Sequence, residues 1–307
     1  MRNSLALAAA ALVLTGVLAG CKKKETAAKN FTDTYKSGTV QLVSDESFAP
    51  ILDQEVYVFK NDFPDAKPEI VYRTENDAVQ FLLSDSSRCA FLSRPLTADE
   101  KKALQKHDLP AVTAKFATDA VTVIVNEASN DTLISVGEIK KMLTGQAKAD
   151  KSIVFDNPNS SLVRYLKELT GVSEFKEKNI YALKSNKEVI EYVSKHPEAI
   201  GITGFSWLND PDATYADAAK KVKIVSVKDE ESKTAPNTYF RPSQETLYLH
   251  QYPLKRDLYI VNCTGRKGLG TGFELFMRDD KGQRIILRSG LLPVQIPGRE
   301  IVVHNKL

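Results

Sequence analysis

Side chains suited to metal and redox chemistry are scarce in this chain of 307 residues, which has four histidines and three cysteines. The histidines (His107, His196, His250 and His304) are scattered, and none has a second histidine at metal-ligand spacing. That argues against a zinc enzyme. The absence of a Cys-x-x-Cys pair removes the usual thiol redox and zinc-ribbon readings. No Gly-x-Ser-x-Gly elbow is present, so a hydrolase nucleophile has no signature. No Walker loop is present to hold a nucleoside triphosphate. The glycine-rich stretch GRKGLGTGF (Gly265–Phe273) lacks the Gly-x-Gly-x-x-Gly spacing and reads as a turn with a close backbone approach at Gly272. A basic excess is also missing where it would matter. Of the net charge of +3, residues 1–20 contribute only Arg2, and Lys22–Gly38 contributes five lysines against two acids. The body is therefore close to neutral, and no basic patch points to nucleic acid.

One long apolar run is present, and it lies at the start. MRNSLALAAAALVLTGVLAGC has one basic residue, an apolar stretch and small residues before Cys21. This is the pattern of an export signal. The run is short for a bilayer span, and the LAGC box resembles the lipidation box of bacterial lipoproteins, with Cys21 as the lipidated residue. KKKETAAKNFTDTYKSG then reads as a polar tether with no clear period. With Cys21 lipidated, Cys89 and Cys263 remain, either as an exported disulfide or as buried thiols; the sequence leaves both open.

Apolar content of 42% and charged content of 26% are those of an ordinary folded body. Strand-like and helix-like segments alternate along it. Strands are expected in GTVQLV, KPEIVYRTE, RCAFLSRPL, ATDAVTVIVN, KSIVFD, AIGITGF, KVKIVSV, RDLYIVNC and EIVVHN. Helices are expected in ILDQEVYVFKNDF, NDAVQFLLSD, TADEKKALQKH, SVGEIKKMLTGQ, SSLVRYLKEL, SNKEVIEYVSKHP and GTGFELFMRDDKGQRIILRSG. Thr97 with Glu100 forms a capping box, and Ser135 and Gly145 start and stop another helix. This is the spacing of βαβ units, an α/β fold with enough elements for two lobes.

The remaining chemistry lies at strand-to-helix junctions. SDESF (Ser44–Phe48), RTENDA (Arg73–Ala78), SRPLT (Ser93–Thr97) and NPNSS (Asn157–Ser161) each follow a strand. Such junctions lie at the carboxyl ends of parallel strands, where ligands bind, and helix N-termini offer N–H groups to anions. Ordinary capping explains each one separately. Together with Arg94 they suggest a crevice for a small anionic or polar ligand. The adjacent acids Asp45 and Glu46 read first as helix-start residues favoured by the helix dipole.

QYPLKRDLYIVN, then GTGFELFMRDDKGQRIILRSGLLPV and PGREIVV, together with AIGITGF, TDAVTVIVN and LTGQ, resemble the phosphate-specific substrate-binding proteins of bacterial ABC importers. The resemblance covers about Gly38 to Val303. It implies a two-lobed periplasmic-binding-protein (type II) fold, each lobe a mainly parallel sheet flanked by helices. Residues 1–20 would be the signal and 21–38 the lipidated cysteine and tether. Lobe I would be 39–115 plus 256–307, and lobe II 116–255, with the hinge at KFATDA and YPLKRD. The implied function is a lipid-anchored, exported, monomeric binding protein. It would carry phosphate or a similar small anion to ABC permease subunits, with no cofactor, metal or catalysis, and either envelope membrane could hold the anchor.

The implied ligand residues are Ser47 and Phe48 from the first loop, Ser93 and Arg94 from the third, and Asn159, Ser160 and Ser161 from lobe II. Arg94 would supply charge where the family places an arginine ahead of Ser-Gly-Thr. This chain also has Glu75 near an expected serine and Arg94 where many members have an aspartate. A second reading follows from Asp45, Glu75 and the absent arginine: the same fold binding another solute, or acting as a sensory or interaction module.

Overall fold

The computed structural model describes residues 32–146 and 151–298. The signal, Cys21, most of the tether and the EIVVHN segment lie outside the described residues. In chain order, β1 (Gly38–Asp45) passes through one 3-10 turn into α1 (Ala49–Asp62). Then follow β2 (Ala66–Arg73), α2 (Glu75–Leu83), β3 (Cys89–Leu92), α3 (Ala98–Lys106) and the long β4 (Val112–Asn126). The chain continues with β5 (Leu133–Ser135), α4 (Val136–Leu143), β6 (Ser152–Phe155), α5 (Ser161–Thr170), β7 (Ile180–Ala182), α6 (Asn186–Lys195) and β8 (Ala199–Gly204). Short helices α7 (Ser206–Asn209) and α8 (Ala216–Ala219) precede β9 (Val222–Ile224), β10 (Ser226–Lys228) and α9 (Gln244–Tyr248). Last come β11 (Lys255–Asn262), α10 (Leu269–Arg278), α11 (Asp280–Arg288) and β12 (Leu292–Pro293).

The expected α/β architecture is present. The main sheet has the order β2-β1-β3-β11-β4-β8-β6-β7, with β9 and β12 also on β4. Its flanks are parallel: β1 with β2 and β3, and β6 with β7 and β8. Its centre is antiparallel, because β11 runs against both β3 and β4, and β4 runs against β8. β4 serves both halves. It pairs with β11 as far as Ala120 and with β8 from Val121 onward. β4 therefore runs with β1–β3 and against β6 and β8. The carboxyl ends of the two parallel sets point toward each other over the middle of β4, which places the polar junctions in one region.

Each half has its own apolar core. Around β1, β3 and β11 it is built from Phe59, Phe91, Phe116, Phe273 and Met277. Phe59 and Phe273 meet edge to face at 5.2 Å, and Phe91 and Phe116 at 5.9 Å, pairs worth about 1 kcal/mol each beyond area burial. Around β4, β6 and β8 the core is Val121, Val123, Leu162, Leu166, Ile202 and Tyr252. The Tyr252 hydroxyl donates to Val121 O at 2.8 Å, satisfying the one polar atom this ring takes inside.

The capping boxes of α3 and α4 form as the sequence requires, with Thr97 and Glu100, and Ser135 and Glu138. Gly145, at φ +72, follows the last turn of α4. Gly272 has the close approach expected of it: a Cβ there would lie 2.0 Å from Tyr35 O.

Two segments divide where one element was expected. KVKIVSV splits at Val225 because β9 pairs antiparallel with β4 while β10 turns to pair parallel with β5. The last helical region breaks at Asp279, which is extended (φ −78, ψ 170) and caps α11 through its side chain on Asp280 N. Cys89 and Cys263 are free buried thiols, and Cys89 Sγ lies 3.4 Å from Asn262 Oδ1.

Candidate functional site

The junction after β1 is the densest point. Asp45 caps the 3-10 turn Glu46–Phe48 and accepts from the Ser47 N–H at 2.9 Å and from the Ser47 hydroxyl, all on Oδ1. A cap needs no more than that. Asp45 Oδ2 accepts in addition from the Ser161 N–H at 2.9 Å, in the first turn of α5 across the cleft. Ser161 Oγ lies 3.4 Å from Ser47 Oγ and accepts from Arg256 Nη1 at 2.7 Å. The Arg256 guanidinium also stands 5.1 Å from the centre of the Phe48 ring, a cation–π contact.

Arg256 projects from the inward face of β11, which it shares with the buried Leu258 and Ile260. Its cross-strand neighbour is Asp119 at the middle of β4. Nε and Nη2 both donate to Asp119 Oδ2, at 3.1 and 2.9 Å, and the two side chains are 2% and 1% exposed.

A second cluster ties the β2 and β3 junctions to α5. Glu75 Oε1 accepts from Ser93 N and Ser93 Oγ at 2.8 and 2.9 Å. Arg164, one turn along α5 from Ser161, pairs with Glu75 and donates to Ser93 Oγ at 2.6 Å. Burial opposes the Glu75 charge, but Arg164 and the two Ser93 donors outweigh it and hold the carboxyl below its ordinary value.

A third cluster lies on the β6 side. Ser160 caps α5, accepting from Val163 N, and donates to Asp156 Oδ1 at 2.5 Å. Asn186 Nδ2 donates to Asp156 Oδ2 and to Glu46 Oε2, at 3.1 and 2.9 Å. Burial raises Glu46 to about 7, against the hydrogen bonds from Asn186. Burial likewise raises Asp45, with Glu75 adding repulsion and Ser47, Arg256 and Ser161 opposing. A cleft of about 280 Å³ opens onto these groups, lined among others by Asp45, Glu46, Arg73, Asp156, Ser160 and Lys184. A larger groove of about 560 Å³, beside Tyr35, Phe63 and Leu275, carries none of these junctions.

Ser47, Phe48, Ser93, Ser160 and Ser161, all expected from the sequence, thus fall in three neighbouring clusters at the strand ends, each of which includes a residue of the first turn of α5 or its cap. Asn159 is exposed on the turn, where its N–H donates to Asn157 Oδ1 at 3.0 Å. Arg94 is bonded away from these groups. It makes a two-pronged pair with Glu100, at 2.7 and 2.8 Å, and a bond to Pro95 O. Glu100 is already fixed by the capping box of α3 and holds the guanidinium there. The cation beside Ser47 and Ser161 is Arg256, and the one beside Ser93 is Arg164. Arg256 had a legible signal, a charged residue on the apolar face of a strand. Among the described residues no group of His, Cys, Asp and Glu is arranged to hold a metal ion.

The chain belongs to the PBP superfamily, whose domain model matches residues 29–281. It is similar to the phosphate-binding protein PstS of Staphylococcus aureus (strain USA300), 28% identical over 253 residues, covering 76% of this chain and 72% of the relative. A Clostridium perfringens protein crystallised with bound phosphate shares the fold at a TM-score of 0.69 and 19% identity, covering 84% of this chain and 100% of that one. An ABC-type phosphate transport receptor from Vibrio cholerae does so at a TM-score of 0.61 and 17% identity, covering 82% and 99%.

Proposed function

We propose that this chain is a lipid-anchored solute-binding protein that captures phosphate, or a related small anion, by hinge closure and delivers it to an ABC permease. The observation that carries this reading is the meeting of Ser47, Ser161 and Arg256. Two backbone N–H groups, two hydroxyls and a guanidinium converge between the facing carboxyl ends of the strands. That donor set suits a tetrahedral oxyanion, which gains from helix N-termini and charge-assisted hydrogen bonds. The relatives' names point the same way, one being called phosphate-binding and another having been solved with phosphate bound.

The hinge would lie where β4 changes partner near Ala120 and where the chain enters β11. Closure would bring residues 39–115 and 256–307 against 116–255. Ser47, Phe48, Ser93, Ser160 and Ser161 remain the proposed ligand-side residues, with Arg256 the cation beside Ser47 and Ser161 and Arg164 the one beside Ser93. Anchoring rests on the LAGC box at Cys21; among the described residues no helix is long and apolar enough to cross a membrane.

Calorimetry on the full chain in detergent, titrated with phosphate, sulfate and a phosphoester, tests the reading. Saturable one-to-one binding of phosphate is expected. A folded protein that gives no phosphate heat at millimolar ligand sinks it. The buried acids Asp45, Glu75 and Asp156, with the half-buried Glu46, favour a second reading, the same fold serving another solute or a sensory role, and that outcome would bring it forward.

A further inference from the structure

We infer that the Asp45 carboxylate is a built-in competitor for the anion seat, holding the N–H groups of Ser47 and Ser161 until a more strongly charged oxyanion displaces it. The inference rests on the phosphate reading above, in that it places the ligand at those N–H groups. Its own observation is the third donor. Capping accounts for Ser47 N–H and Oγ on Asp45 Oδ1, at a separation of two residues. It does not account for Ser161 N–H on Oδ2, which comes from a helix start 116 residues away.

Asp45 therefore collects donors from both sides of the cleft, as a bound anion would. A carboxylate and a phosphate each present two oxygens on one atom at similar spacing. Both cannot accept from the same two N–H groups. Arg256 does not hold Asp45 in place by direct pairing, because its nitrogens are on Asp119 and Ser161. The displaced side chain has somewhere to go, since Asp45 lines the cleft of about 280 Å³ that is also lined by Arg73 and Lys184.

A single carboxylate is a weaker partner for these donors than a phosphate dianion. The device would raise the threshold for occupancy and discriminate against monoanions such as acetate. It would thereby set specificity within the same site.

The experiment compares full-length wild type, Asp45→Ala and Asp45→Asn by calorimetry with inorganic phosphate, each checked for fold by circular dichroism. Asp45→Ala should bind phosphate at least tenfold more tightly than wild type, and acetate should compete in that variant but not in wild type. Asp45→Asn keeps the side-chain shape and an acceptor for Ser47 N–H. It decides the matter if the alanine variant does not fold, with a smaller gain expected. Wild type that binds phosphate while the folded variants bind equally or more weakly overturns the inference and leaves the function standing. Phosphate binding by the variants alone supports the inference and overturns phosphate capture by the wild-type protein. Binding by none of them overturns both.

Discussion

Asp45 and Glu75 are two buried carboxylates at neighbouring strand ends, and both reach α5, yet they are held in opposite ways. Glu75 meets a guanidinium directly, since Arg164 pairs with it and Ser93 supplies two further donors. Its charge is stabilised, and its carboxyl is held down. Asp45 meets only neutral donors, Ser47 and Ser161, while the adjacent cation Arg256 is committed to Asp119. Burial pushes its carboxyl up. The same interior thus makes one acid a structural tie and the other a displaceable occupant. What differs is whether a cation is bonded to the acid or to its neighbour.

The largest effect should follow from breaking the tie. Arg164→Leu leaves Glu75, 1% exposed, with only Ser93 for company. Removing one partner of a buried pair costs about 3–5 kcal/mol, and the 23% exposure of Arg164 moves the expectation to about 2–4. Chemical denaturation measures it. Adding Glu75→Gln removes the stranded charge while keeping an acceptor for Ser93 N–H, so the double variant should recover at least half of the loss. Additive losses would mean that the pair is not coupled and that the contrast with Asp45 is misdrawn.

These two clusters also mark how far the sequence could be read. Most of the strands, apart from the divided KVKIVSV and the EIVVHN segment outside the described residues, follow from local rules of period and capping, as do the caps at Thr97, Ser135 and Ser160 and the crevice-facing junctions. Which cation joins which acid does not follow from such rules. Arg94 precedes its capping box by only a few residues, and Glu100 takes it; Arg164 reaches Glu75 across 89 residues and Arg256 reaches Asp119 across 137. Long-range pairing depends on the mid-strand partner change in β4, which has no local signature. Asp45 and Glu46 were legible as helix-start acids. The donor that makes Asp45 more than a cap, Ser161 N–H, comes from the far half of the sheet, 116 residues along the chain.

A smaller effect separates the raised acids from the lowered one by pH. Glu46 sits near 7 in the folded protein against about 4.5 when free. Its folded value is above its unfolded value, so its contribution to stability is complete below about pH 4.5 and is lost as pH rises through about 7. At about 1.4 kcal/mol per unit, discounted for its partial exposure, the loss should be about 2 kcal/mol. Glu75 has the opposite sign: its contribution is present above its unfolded value and lost as pH falls through its lowered one. Melting temperature between pH 5 and 8 should therefore fall in wild type and fall less in Glu46→Gln. Parallel profiles would remove Glu46 as a source of the slope and leave the two classes of acid undivided in this range.

The smallest effect tests which arginine serves the ligand, Arg94 or Arg256. Its two-pronged pair with Glu100 is partly exposed, at 21% and 17%, and stabilises one end of α3. A pair of this kind contributes about 1 kcal/mol or less. Arg94→Ala should lower stability by that amount and change phosphate affinity by less than twofold. Arg256→Lys should weaken binding by tenfold or more, because an ammonium cannot serve Asp119 and Ser161 with the same planar fork. Calorimetry on both variants orders them. If Arg94→Ala weakens binding as much as Arg256→Lys does, Arg94 must leave Glu100 when ligand arrives. The anion would then be held by a cation from the β3 junction as well as by the one on β11, and the contrast between bonded and displaceable acids would extend to the arginines.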